Sequence, residues 1–288
     1  MSNSEFTDIR PSPIAGTWYP ADPIDLRDEV QDYLDRAVTP ELTGEVFALV
    51  VPHAGHIYSG FTAAHAFKSI VGQDFQRVIL LAPSHQPYSH PLITSAHQAY
   101  STPLGLVPVD QAALEILTHL LEDSIGISIT PVRRDREHSL EIELPFLQVT
   151  LPQGFTLVPL MLVDQSHKLV SALAEAIVTY LQSRPAEEKT LLVASSDLSH
   201  FYSEKQANQL DSRVLQALKA MDDVALYRLN AAGTGQACGL GPIATVLLVS
   251  RQLGADQLSI ADYRTSAAVT HDTGSVVGYG SAVITRPA

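Results

Sequence analysis

Three apolar runs in this chain end alike. "ALVVPHAG" delivers His53, "VILLAPSH" delivers His85, and "TLLVASSDLSH" delivers Asp197 and His200. Each is an aliphatic run with strand character, then small or proline residues, then an imidazole. One histidine after a strand is most often a hydrogen-bonded structural residue. Three strand ends in agreement point to a shared site. If the strands are parallel, all three ends lie on one rim of a sheet, where ligands collect in open α/β folds. Two more segments carry chemistry. "QACGLGPIATVLL" places Cys238 just ahead of a helix begun by Pro242, where the positive end of the helix dipole favours a thiolate. "REHSLEIELP" holds His138, Glu141 and Glu143.

Imidazole nitrogen and thiol sulfur together suit a borderline or soft metal rather than magnesium or calcium. Two histidines with a carboxylate suit non-haem iron(II). Two histidines with a cysteine suit iron, zinc or copper, and the residue types leave that choice open. None of the spacings is HExxH or CxxC, so any metal site is assembled from distant segments. The remaining histidines are less telling. His65 sits on an apolar-faced helix and reads as a core or supporting residue. His90, His97, His119 and His167 read as surface or loop residues. His56 and His271 carry little signal of their own.

The elements that must position these groups alternate along the chain. "DPIDLRDEVQDYLDRAV" is a helix capped by Asp22, with Pro23 at its first position. "VFALVV" and "RVILLA" are buried strands separated by the helical "FTAAHAFKSIV". "VDQAALEILTHLL" is a helix capped by Asp110, and "SLEIELPFLQVTL" a helix bent or begun at Pro145. "TLVPLMLV" and "TLLVAS" are further buried strands. A helix runs from Ser203 to about Ala220, and another, "PIATVLLVSRQL", ends before Gly254. "LSIADYRT" and "SVVGYGSAVIT" close the chain as strands, with antiparallel pairing open to them. Continuous apolar strands between helices predict an α/β fold: a central, mostly parallel sheet with helices on both faces. No repeat or linker divides the chain, so residues 1–288 are expected to form a single domain.

Composition narrows the function. The net charge is −13, and charged residues make up only 17% of the chain. That balance argues against binding nucleic acid or an anionic membrane surface through a general field. "RRDR", Arg133 to Arg136, is interrupted by Asp135 and reads as a solvated loop. One cysteine excludes an internal disulfide and fits a reducing compartment. The first residues lack a signal-peptide pattern, and no apolar run approaches the ~20 residues of a membrane span. A cytoplasmic protein is the expectation.

The motifs "VPHAGHIYSG", "LAPSH", "EHSLEIELPFL", "SSDLSHF", "CGLGPI" and "VVGYGSAV" resemble, in order, those of the Memo family (mediator of cell motility). Its prokaryotic members are called AmmeMemoRadiSam system protein B. The resemblance runs from Trp18-Tyr19 to the last strand. It departs at His56, where many relatives have tyrosine, and in "THDTGS", where glycine commonly precedes the aspartate. His56 is then expected to add a polar group to the site rim. The family is similar in fold to class III extradiol dioxygenases, a LigB-like/phosphorylase-like architecture whose iron is held by two histidines and a glutamate.

The resemblance implies that His53, His85 and Cys238 bind a metal. Iron is the first choice, with zinc and copper as alternatives. It implies pocket roles for Asp197 and His200, and His138 in "EHS" joins the same pocket, so His200, Asp197 and His138 stand as the catalytic candidates. A cysteine in place of the carboxylate argues against ordinary catechol cleavage. Three functions follow: a redox enzyme acting on a small molecule, a ligand- or phosphopeptide-binding module on a dioxygenase-like fold, or a metal-handling protein. The family name also associates the chain with radical SAM and AMMECR1-domain proteins.

Overall fold

The computed structural model describes residues 6–287. Its strands are β1 (Ile9–Arg10), β2 (Glu45–Val51), β3 (Arg77–Pro83), β4 (Leu92–Ser95), β5 (Ala99–Thr102), β6 (Gly105–Pro108), β7 (Thr130–Val132), β8 (Thr156–Leu162), β9 (Thr190–Ser195), β10 (His200–Tyr202), β11 (Gln257–Thr265) and β12 (Val276–Arg286). Its helices are α1 (Pro23–Arg36), α2 (His56–Phe67), α3 (Gln111–Ile125), α4 (Leu144–Thr150), α5 (His167–Gln182), α6 (Glu204–Lys219), α7 (Asp223–Ala231), α8 (Leu240–Gln252) and α9 (Ala267–Thr270).

The expected strands and helices are present. Asp22 caps α1 by accepting the amides of Ile24 and Asp25, and Asp110 caps α3 through Ala113. The "EIE" turn is a 3-10 segment, Glu141–Glu143, that runs into α4 with Pro145 in its first turn. Helix α5, capped by Ser166, and the short α7 lie outside the sequence reading.

The large sheet runs β10-β12-β2-β9-β3-β8-β4-β7, with β11 on β12. Here the expectation of a mostly parallel sheet needs correction. Strands β2, β9, β3 and β8 are mutually parallel. Beyond them β12 joins β2, and β4 joins β8, antiparallel, so the sheet as a whole is mixed. The reason is local. A strand buried on both faces carries its apolar run in either direction, and only the connecting segment decides polarity. A second, three-stranded sheet orders β1-β5-β6. Helix α8 packs on β2, β3 and β9 with α5 beyond it, while α2 packs on β2, β11 and β12 with α1 and α4 beyond it. The central strands bury almost every residue, as their unbroken aliphatic runs require.

The parallel register sets the site. Val51 lies opposite Ser195, and Leu81 opposite Ala194, so β2, β9 and β3 end at one level. The return strand β12 must pass close behind. Gly278 faces Asp211 of α6 so closely that an added Cβ would overlap its carboxylate. Gly278→Ala should therefore cost about 1–3 kcal/mol of overpacking, read as a lower urea midpoint with an unchanged slope. An unchanged midpoint would mean that α6 can back away freely.

Candidate metal centre

His53 leaves the end of β2 fully buried. Its Nδ1 lies 2.8 Å from Ser195 Oγ, and that hydroxyl donates to the Ser139 carbonyl at 2.6 Å. With its hydrogen committed there, Ser195 must accept, so His53 carries its proton on Nδ1. Its Nε2 lone pair then faces Cys238 Sγ, 3.1 Å away. His85, at the end of β3, is oriented in the same manner. Its Nδ1–H donates to Glu137 Oε1 at 2.9 Å, which leaves Nε2 as the free donor atom. His53, His85 and Cys238 each present a ligand atom within 4.8 Å of the others. Donors this close can share one ion at bond lengths of about 2.0–2.1 Å to nitrogen and about 2.3 Å to sulfur. The residues fit a metal, and hydrogen-bonded outer nitrogens are the arrangement metal-binding imidazoles need.

His85, Glu137 and His138 form a second cluster of possible ligands. The hydrogen bonds argue against it as a centre. Glu137 Oε1 accepts His85 Nδ1 and the amides of His138 and Ser139, while Oε2 accepts the amide of His85. Its lone pairs are engaged, so Glu137 serves as a support for His85. Asp135 in turn accepts the Glu137 amide, and the buried Arg10 holds Asp135, Glu141 and the Glu137 carbonyl.

Asp197 joins two strand ends. Its carboxylate accepts the His53 amide at 2.8 Å. Its own amide donates to Cys238 Sγ at 3.1 Å, and its carbonyl accepts the Cys238 amide at 3.1 Å. His138 stacks on His85 with ring centroids 4.8 Å apart and meets the edge of His53 at 5.6 Å. Trp18 lies tilted against the same His138 ring, with centroids 4.1 Å apart. His200 is half-buried, and its Nδ1 donates to the Leu198 carbonyl at 2.9 Å.

The electrostatics divide these groups. Burial, with neighbouring imidazoles, pushes His53 well below its usual range and His138 down to about 4. Burial also lowers His200. His85 goes the other way, raised by its hydrogen bond to Glu137. Despite burial, Glu137 is drawn down to about 2 by its hydrogen bonds to His85. Asp197 is pushed up to about 7 by burial.

The thiolate expectation for Cys238 is corrected in the metal-free protein. Helix α8 starts two residues later, at Leu240, and the thiol faces inward, where burial and Asp197 favour the neutral form. Two histidine readings also change. His97 is buried, held between Asp8 at Nδ1 and the Arg133 carbonyl at Nε2. His56 is absent from the rim. It is the buried first residue of α2, with Nδ1 on Glu29 of α1 and Nε2 on the Ile142 carbonyl. The "RRDR" loop is solvated at its arginines, but its Asp135 is buried on Arg10. His65 is a core residue bonded to the Phe61 carbonyl, as expected. Sequence reasoning missed Glu137, Ser195 and Trp18. Glu137 directly precedes His138, and its place in "REHS" was the available signal.

Comparison with known proteins finds one family over nearly the whole length of the chain. The family described as Memo-like protein matches residues 10–283. A MEMO1 family protein of Nitrosopumilus maritimus is 31% identical over 277 residues, covering 95% of this chain and 98% of the relative. One from Thermotoga neapolitana is 34% identical over 287 residues, covering 96% and 99%. One from Methanosarcina barkeri is 30% identical over 276 residues, covering 96% and 100%.

A depressed carboxyl contributes stability that is complete above its unfolded value, about 4.3, and is lost as pH falls through its folded one. Glu137 should therefore contribute about 3 kcal/mol that disappears between roughly pH 5 and 2. In metal-free protein, Glu137→Gln should flatten that limb of the stability profile. Parallel profiles for variant and wild type would show that the Glu137 carboxylate is not held as described.

Proposed function

The chain belongs to the Memo family, and from that premise we propose that it is a metal-binding redox protein acting on a small molecule. The ligands are His53 Nε2, His85 Nε2 and Cys238 Sγ. The observation that carries the reading is the orientation of both imidazoles from outside, by Ser195 and by Glu137, so that their free nitrogens converge on the thiol. Two nitrogens and a sulfur suit iron first, with zinc and copper as alternatives. When bound, an iron or copper ion would supply one-electron chemistry; zinc would supply Lewis acidity alone.

The chain's own residues divide the remaining work. His85 is about one-third exposed, so the centre opens to solvent on that side. His138 and His200, both favoured neutral at pH 7, can accept a proton from a bound molecule. Asp197, near neutrality, holds the His53 and Cys238 backbones in place. Trp18 excludes water from one face of His138. A phosphate-binding reading has less support. Arg10, the arginine behind Glu137, is committed to Asp135, Glu141 and the Glu137 carbonyl.

Anaerobic metal analysis tests the assignment. Wild-type protein should hold about one ion per chain, and Cys238→Ser or His53→Ala with His85→Ala should lose it. Full metal content in the double variant would overturn the ligand set. Ser195→Ala should keep the stoichiometry but weaken affinity by about 10–100-fold, measured by competition with a chelator. Oxygen uptake by the iron-loaded protein with candidate substrates separates a redox enzyme from a protein that only holds metal.

A further inference from the structure

The start of α8 is held by a side chain from another element. Gly239, just ahead of the helix, has no side chain to cap it, so the first amides of α8 need an outside acceptor. Gln165 supplies one. It lies just beyond the end of β8 and directly before Ser166, the cap of α5. Its Oε1 accepts the Gly241 amide at 2.7 Å, and its Nε2 donates to the Cys238 carbonyl at 2.8 Å. These partners fix the orientation of the side-chain amide, because an N–H must meet its oxygen and a carbonyl its nitrogen. A carboxamide carries donor and acceptor on one planar group, whereas an ionised carboxylate carries acceptors alone.

The turn that carries Cys238 is tight on both sides. A Cβ on Gly239 would come within 2.3 Å of the Ser195 carbonyl oxygen, and one on Gly241 within 3.0 Å of Gln165 Cβ and of a Leu162 methyl. The Gly239 amide donates to Ser196 Oγ at 2.9 Å. Residues 238–241 are therefore clamped between the end of β9, through Ser196 and Asp197, and the end of β8, through Gln165. Gln165 has its own mount. Its backbone carbonyl accepts the hydroxyl of Tyr227, on α7, at 2.7 Å. Each of the four parallel strands thus sends a residue toward the centre: His53 from β2, His85 from β3, Asp197 from β9 and Gln165 from β8.

We propose that Gln165 is a positioning residue of the metal centre: its carboxamide sets the place of Cys238 and so aims Sγ at the nitrogens of His53 and His85. This rests on the metal-binding reading of those three residues. A residue that only capped α8 would need only an oxygen. The nitrogen of Gln165 is engaged outside the helix, on the carbonyl of the ligand residue itself.

Glutamate separates the two roles. Gln165→Glu keeps an oxygen for the Gly241 amide, where the helix dipole favours a carboxylate, but turns a second oxygen toward the Cys238 carbonyl. Cobalt(II) is the probe, because a cysteine thiolate bound to it gives a near-ultraviolet charge-transfer band that imidazoles alone do not. Cobalt-loaded wild-type protein should show that band. Gln165→Glu should weaken it and lower cobalt affinity by about 10–100-fold, as the loss of a ligand's support does, while the metal-free variant unfolds at the wild-type urea midpoint. Gln165→Ala, which loses both bonds, should lose affinity to a similar degree and also unfold earlier. Tyr227→Phe leaves the carboxamide in place but releases its backbone, and should lower affinity by about 2–5-fold. A full-strength band and wild-type affinity in Gln165→Glu overturn the positioning role and leave Gln165 a cap alone. If metal-free Gln165→Glu unfolds early, Tyr227→Phe decides, and wild-type band and affinity there overturn the role as well. Wild-type protein that shows no thiolate band with cobalt overturns the ligand set, and the positioning role with it.

Discussion

The site rests on one register. Val51 lies opposite Ser195 in a parallel pair, so β2 and β9 end side by side and release Pro52-His53 and Ser196-Asp197 into the same space. Everything nearby follows from that adjacency. Ser195 meets the ring of His53, and Asp197 meets its amide. Asp197 then grips Cys238 through both its amide and its carbonyl, which brings in a segment from a distant part of the chain. A buried carboxylate in such a place is costly unless hydrogen-bonded. Backbone donors from His53 and Ala54 offset part of that cost, and burial still raises the group.

A second support works from the opposite side. Glu137 is ionised and almost wholly engaged, and it sets both the backbone and the ring of His85. It is held by Asp135 and Arg10, a buried arginine with two carboxylate partners that also lies over the Tyr100 ring. Breaking such a network leaves a charge stranded in the interior, so its cost exceeds that of a surface pair. The small sheet that carries Arg10 and Tyr100 thus contributes to the centre without touching it. The two supports differ in charge. One is an anion beside the exposed imidazole. The other is a hydroxyl, with the protonation-prone Glu143 behind it, beside the buried imidazole. His85 is accordingly favoured in its charged form and His53 in its neutral form when no metal is bound.

The chain order of strands and helices was legible because aliphatic runs and capping residues act locally. Asp22, Asp110 and the Val-Leu runs announce themselves within a few residues. The convergence of His53, His85 and Cys238 was legible through repetition of one strand-end pattern and through the family motifs. Partners were harder to read. His97 and His56 look like ordinary loop and rim residues because Asp8, which binds His97, and Glu29, which binds His56, lie far away along the chain. Glu137 is one acidic residue among several, and its place beside His138 marks it as near the site without telling that it faces His85.

By itself, the sequence determined the elements, their apolar faces, and which imidazoles and thiol stand at element ends, because periodicity and capping are short-range properties. Only the tertiary structure decided the mixed polarity of the sheet, the hydrogen-bond partners that orient His53 and His85, and the enclosure of Cys238 by His53 and Asp197. Each of these depends on which groups lie across the sheet or inside the pocket. Burial and hydrogen bonding between segments tens to hundreds of residues apart carry no signature in local composition.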